Sequence, residues 1–154
     1  LQTAAVGLWV ARFRVDTERP LATPVRTRLV GFAAALAVVL SGLALLRSDS
    51  GLYLGSLLVW SGPILAIQWL FGWHFLVGEW RTVSAATLVP TAYLCGIDSI
   101  AIRLGVWTIS KQYTTGYTIP LLDLPIEEAV FFLLTTLFVV QGVVLYIWLR
   151  DRWE

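Results

Sequence analysis

The chain has 154 residues, 58% of them hydrophobic and only 14% charged, with a net charge of +1 at pH 7. With a mean hydropathy of +0.77, this composition excludes an ordinary soluble domain and offers no electrostatic attraction for nucleic acid. The single cysteine, Cys95, and the single histidine, His74, leave no disulfide framework, His-based metal site or His-dependent triad to expect within this chain.

Leu1 to Val10 is apolar but spans roughly half of the ~20 residues that a membrane helix needs. It reads as the inner end of a helix whose beginning lies upstream. The Leu1-Gln2-Thr3 start, the lack of Met and the lack of a signal peptide make the chain look like a piece of a longer polypeptide. Arg12, Arg14, Arg19, Arg26 and Arg28 then crowd a loop with Pro20 and Pro24, and basic short loops stay cytoplasmic.

Four complete spans are expected to follow, making an all-α, polytopic transmembrane bundle. Leu29 to Leu46 is the first, and Leu52 to Trp73 the second, with a kink expected at Gly62-Pro63. A short loop from His74 to Thr82 leads to the third, Val83 to Ile102. Gly105 to Leu124 is a polar, aromatic loop, and Ile126 to Leu149 is the fourth span. Four crossings return Arg150 and Arg152 to the side of the basic loop, which puts Asp98, Glu127 and Glu128 toward the outer face. Leu1–Val6 can also be laid on Leu134–Val139, each followed by a basic segment, which suggests an earlier repeat that itself carries acids.

Three features can carry chemistry. Glu127 and Glu128 stand at the start of the last span, behind Asp123 as a possible cap and Pro125 at the first helical position. Acids there also complement the helix dipole, and that alone would explain either one. On the helix, Glu128, Phe132, Thr135 and Gly142 share one face, while Glu127, Phe131, Leu134 and Gln141 share its neighbour. An acid backed by aromatic rings can deliver a proton and then stabilise the resulting cation. Two adjacent carboxylates in a dry bundle resist double ionisation, so the pair is expected to hold one proton. Asp98 is the second feature. A carboxylate in a membrane helix normally faces the interior and has a partner, and Arg103 is off-register for that role. The third is the loop with Trp107, Tyr113 and Tyr117, whose aromatic residues also suit an interfacial belt. No Gly-rich dinucleotide or phosphate-binding loop is present.

Pro90-Thr91-x-Tyr93, Asp98-x-x-Ala101-Ile102, Gly105-x-Trp107, Tyr113-Thr114-x-Gly116 and Leu124-Pro125-x-Glu127-Glu128 with Phe131-Phe132 resemble the second repeat of the heterodimeric or fused-type lycopene β-cyclases. The resemblance is best from about Trp60 to Trp148. It implies a division into the end of a first-repeat helix with a basic cytoplasmic loop (1–28), a linking transmembrane helix (29–51) and a second three-helix repeat (52–154). It implies Glu127, Glu128 and Asp98 as catalytic residues, with Phe131, Phe132, Trp107, Tyr113, Tyr93 and Thr135 against a lycopene end group. The implied reaction is a redox-neutral isomerisation without cofactor or metal, in the cell membrane. The implied partners are the lipid bilayer and the missing N-terminal repeat, without which the chain is expected to be inactive. The same features suit a relative that hydrates a polyene or forms a different ring. Two other classes stay open: a non-catalytic carotenoid-binding or assembly subunit, and a proton-coupled transporter fragment using the same acids. No Asp-rich run supports a Mg-dependent prenyltransferase.

Overall fold

A computed structural model describes residues 25–150, together with Gly7 and Val15. The expected first-repeat end, the arginines at 12, 14 and 19, and the tail beyond Arg150 lie outside the described residues. Among the described residues, four long helices carry the fold: α1 (Val25–Leu45), α2 (Leu52–Gly78), α3 (Trp80–Arg103) and α4 (Ile126–Arg150). All four are long and apolar enough to cross a membrane. The protein is an all-α, multi-pass membrane bundle.

The spans are longer than the hydropathy pattern predicts. Val25 opens α1, so Arg26 and Arg28 belong to its first turn rather than to a loop. The loop expected from His74 to Thr82 does not form. Helix continues to Gly78 and resumes at Trp80, with Glu79 alone between them at φ −95° and ψ 21°. Polar residues there fit helix because Glu79 and Thr82 are buried in the bundle instead of exposed at a turn. The break in α2 is also displaced. Pro63 sits within helix, and the non-helical residue is Gly72 (φ −139°, ψ 24°). A Cβ at Gly72 would collide with the Leu145 side chain of α4, so the missing side chain there gives Leu145 its place.

α1 lies along α2, while α4 packs against both α2 and α3. The α1–α2 crossing is close because neither backbone carries a side chain at the contact. A Cβ on Gly42 would stand 2.8 Å from the Gly55 carbonyl oxygen, and one on Gly55 would stand 2.8 Å from that of Gly42. Small residues serve membrane helices in this way, since lipid leaves van der Waals packing to hold helices together. One apolar cluster joins Phe75, Leu76, Val83, Ala86, Val140, Val144, Leu145 and Trp148. The Phe75 and Trp148 rings stack there at 4.7 Å. A second joins Ala35, Leu57, Leu65 and Leu134, with Val130 and Phe131 against it. The outer surface is apolar too: Ile67 is 71% and Val89 63% exposed. That is the surface a lipid-facing bundle presents, with backbone polar groups satisfied inside each helix.

The turn before α2 (Asp49–Gly51), the end of α3 and the start of α4 all lie at one end of the bundle. The connection between α3 and α4 is not wholly irregular. β1 (Thr118–Ile119) pairs antiparallel with β2 (Leu124–Pro125). Asp123, at φ 52°, turns the chain into the second strand. Pro125 therefore ends a strand instead of occupying the first helical position, and the Ile126 N–H donates to the Tyr117 carbonyl at 3.0 Å. Pairing across this hairpin satisfies backbone groups at the membrane rim.

Candidate active site

The acids of the sequence pattern meet where α2, α3, α4 and the hairpin connection converge. Glu127 has no exposed surface, and Asp98 is only 4% exposed. Glu128, next in sequence, is half-buried because the helix turns it about 100° away. Asp98 and Glu127 both lie within electrostatic reach of Glu128, as α3 ends beside the start of α4.

Each acid is anchored by a different part of the chain. The backbone N–H of Thr115 donates to Glu127 Oε1 at 2.6 Å, and its hydroxyl donates to the same oxygen at 2.7 Å. The phenol of Tyr53, in the first turn of α2, donates to Glu128 Oε1 at 2.6 Å. The Trp107 indole lies close enough to the Asp98 carboxyl group to act on it. Arg103, the unfavoured partner for Asp98, instead reaches the Leu121 carbonyl at 3.4 Å. Ser99, next to Asp98, donates its hydroxyl to the Leu122 carbonyl and so ties the hairpin to α3. Glu127 Oε2 and Asp98 Oδ2 are buried without a hydrogen-bond partner among the described residues.

The remaining candidates are placed unevenly. Phe131 and Phe132 lie edge to face, with ring centroids 5.5 Å apart, one turn into α4 from the acids. Thr135 donates its hydroxyl to the carbonyls of Phe131 (2.8 Å) and Phe132 (3.2 Å), so its polar group is engaged by its own helix. Tyr113 joins the site through its backbone, its carbonyl accepting the Tyr53 N–H at 3.1 Å. Tyr93 is 53% exposed on α3, on a different side of that helix from Asp98. No set of three His, Cys, Asp or Glu residues among those described could hold a metal ion.

The most informative residues were those the sequence did not mark. Tyr53 looks like an interfacial tyrosine at the start of a span, and its contact with Glu128 bridges 75 residues. Thr115 fills the variable position of the Tyr113-Thr114-x-Gly116 pattern. A threonine before a positive-φ glycine (Gly116, φ 79°) was the one available sign of a turn that directs an N–H inward.

The chain is 41% identical to the lycopene beta-cyclase of Halobacterium salinarum over 153 residues, covering 99% of this chain and 64% of that protein. The chain belongs to the lycopene cyclase family. It is also 38% identical to the bifunctional lycopene cyclase/phytoene synthase of Phaeosphaeria nodorum over 108 residues, or 69% of this chain and 18% of that protein. With the corresponding bifunctional protein of Phycomyces blakesleeanus it shares 32% identity over 123 residues, 79% of this chain and 20% of that protein. No family model and no solved structure matches the chain. It thus spans less than two thirds of the length of these lycopene cyclase relatives. Within this family member, the carboxyl groups with buried, unengaged oxygens stand at the rim of an apolar bundle, where a hydrocarbon could meet a proton.

Proposed function

We propose that the chain is the C-terminal part of an intramembrane lycopene β-cyclase, an isomerase that forms β-rings at the ends of lycopene. The observation that carries this reading is the convergence of Asp98, Glu127 and Glu128 inside an apolar bundle, in a chain related to lycopene beta-cyclases. A proton from the acid cluster adds to the terminal double bond. The internal alkene then attacks the tertiary cation and closes the ring, and loss of a proton to a carboxylate leaves the β-ring. One proton enters and one leaves, so the reaction is redox-neutral. Glu127 Oε2 and Asp98 Oδ2, buried and unengaged, suit exchange of a proton with a hydrocarbon that offers no hydrogen bonds of its own. The Phe131 and Phe132 rings, with Trp107, Tyr113 and Thr135, are the proposed surroundings of the end group, where ring faces offset positive charge; Tyr93, on another side of α3 from Asp98, is not among them.

Residues 52–154 would form the second repeat, 29–51 the linking helix, and 1–28 the close of a first repeat. The complete site would then draw on acids of both repeats, and the chain alone would be inactive. The proposed location is the cell membrane. Pigment extracted from lycopene-producing cells expressing the full-length protein tests the reading. Ring formation without an added redox cofactor supports it, and unchanged lycopene despite normal membrane insertion overturns it.

A further inference from the structure

We propose that Tyr53 is the positioning residue of Glu128, fixing the carboxylate's orientation for proton exchange through a hydrogen bond from α2. This inference rests on the cyclase reading above. Tyr53 is held at two points. Its backbone N–H donates to the Tyr113 carbonyl at 3.1 Å, and its phenol donates to Glu128 Oε1 at 2.6 Å. The ring packs beside the cluster of Ala35, Leu57, Leu65 and Leu134, so its direction is set by the core and not by the carboxylate alone. A short hydrogen bond to a carboxylate oxygen restricts rotation of the group and leaves the other oxygen to face the reaction.

Tyr53 also separates the roles of the adjacent acids. Glu127 takes its hydrogen bonds from Thr115 in the α3–α4 connection, whereas Glu128 takes its bond from α2. Movement of α2 relative to α4 would therefore reorient Glu128 and leave Glu127 in place. The ionisable groups that act on Glu128 are Asp98 from α3, Glu127 from its own helix and Tyr53 from α2. Cys95 of α3 also interacts electrostatically with Asp98 and Glu128. Among these groups Tyr53 is the one with a hydrogen bond to Glu128, which is why its loss should alter orientation more than packing.

The test uses Tyr53→Phe in the full-length protein, assayed with lycopene in lipid vesicles and by infrared spectroscopy of the carboxyl groups. Phenylalanine keeps the ring and removes only the O–H. The expected result is a fall in kcat of about tenfold with little change in KM. The carboxyl band assigned to Glu128, identified by its disappearance in Glu128→Gln, should shift in the same variant. An unchanged kcat overturns the proposal. A lowered kcat with an unshifted Glu128 band overturns it too, because the effect would then be one of packing. If the wild-type protein forms no rings, the cyclase reading fails and the catalytic role of Tyr53 with it. The band shift then still reports whether Tyr53 holds Glu128, which keeps the two failures apart.

Discussion

Thr115 gives Glu127 Oε1 both of its donors, the backbone N–H at 2.6 Å and the hydroxyl at 2.7 Å, and so fixes a fully buried carboxyl group from a loop. The relationship joins the least regular part of the fold to its most enclosed acid. Gly116, at φ 79°, follows at once, and this backbone turn is open to glycine at little cost. One residue thus sets which oxygen of Glu127 is engaged and which stays unengaged.

Replacing Thr115 with valine removes the hydroxyl and keeps the shape and the backbone donor. Loss of one hydrogen bond to a carboxyl group costs on the order of 1.4 kcal/mol, or about tenfold in rate where the bond acts in the transition state. Thr115→Val in the full-length protein is expected to lower β-ring formation by that factor, and Thr115→Ser to keep most of it. Pigment yield normalised to protein level measures both. Loss in Thr115→Ser with activity kept in Thr115→Val would point to packing of the methyl group instead.

Asp98→Asn should reduce turnover while leaving membrane insertion intact, because asparagine keeps the size of the buried side chain but cannot donate or accept a proton as a carboxyl group does. Trp107→Phe, which removes the indole donor near Asp98, should produce a smaller loss. Turnover in purified vesicles, with circular dichroism as the check on helix content, distinguishes the effects. Unchanged activity in Asp98→Asn would make it a structural residue at the membrane rim.

The fold was largely legible because hydrophobic runs long enough to span a bilayer leave few alternatives. The span expected from Ile126 to Leu149 matches α4 almost to the residue. Boundaries failed where polarity stood in for exposure: Glu79 and Thr82 look like loop residues, yet both are buried. The site was half legible. Acids inside membrane segments are costly and stand out against an apolar background, so Asp98, Glu127 and Glu128 could be picked from sequence. Their anchors could not. A tyrosine at the start of a helix and a threonine in a loop are common, and the pairing of Tyr53 with Glu128 depends on how α2 lies against α4.

The α1–α2 crossing yields a prediction about stability. The reciprocal approach of Gly42 and Gly55, with each prospective Cβ 2.8 Å from the opposite carbonyl, leaves no room for a branched side chain. Gly55→Val is expected to destabilise the bundle by roughly 1–3 kcal/mol, the usual range for overpacking. Because Gly55 lies two residues from Tyr53, ring formation should fall as well. Thermal unfolding in detergent reads the first effect, and an unchanged midpoint would mean that α1 is not held at this crossing.

The completeness of the site can be tested by expressing the chain with and without the upstream part of its full-length protein. The chain covers 64% of the length of the Halobacterium salinarum relative, and under the proposed two-repeat reading the remaining part would add acids to the site. Lycopene-producing cells expressing the chain alone should accumulate unchanged lycopene. Full ring formation by the chain alone would remove the need for a second set of acids.

The acid pair provides the decisive case. Glu127→Gln and Glu128→Gln preserve size and most hydrogen bonding while removing the transferable proton. Glu127 is enclosed and held by Thr115, whereas Glu128 is half-buried and held by Tyr53, so the two substitutions interrupt different anchors. Helix capping does not require both side chains to be acids, since glutamine tolerates the first turn of a helix at a cost of well under ~1 kcal/mol. Proton transfer does require an acid, and general acid–base groups commonly contribute roughly 100- to 10,000-fold to a rate. At least one of the variants is therefore expected to lose β-ring formation by that order, with protein level and insertion unchanged. Cyclisation near the wild-type rate in both would reduce the pair to dipole partners of α4 and end the proposed mechanism.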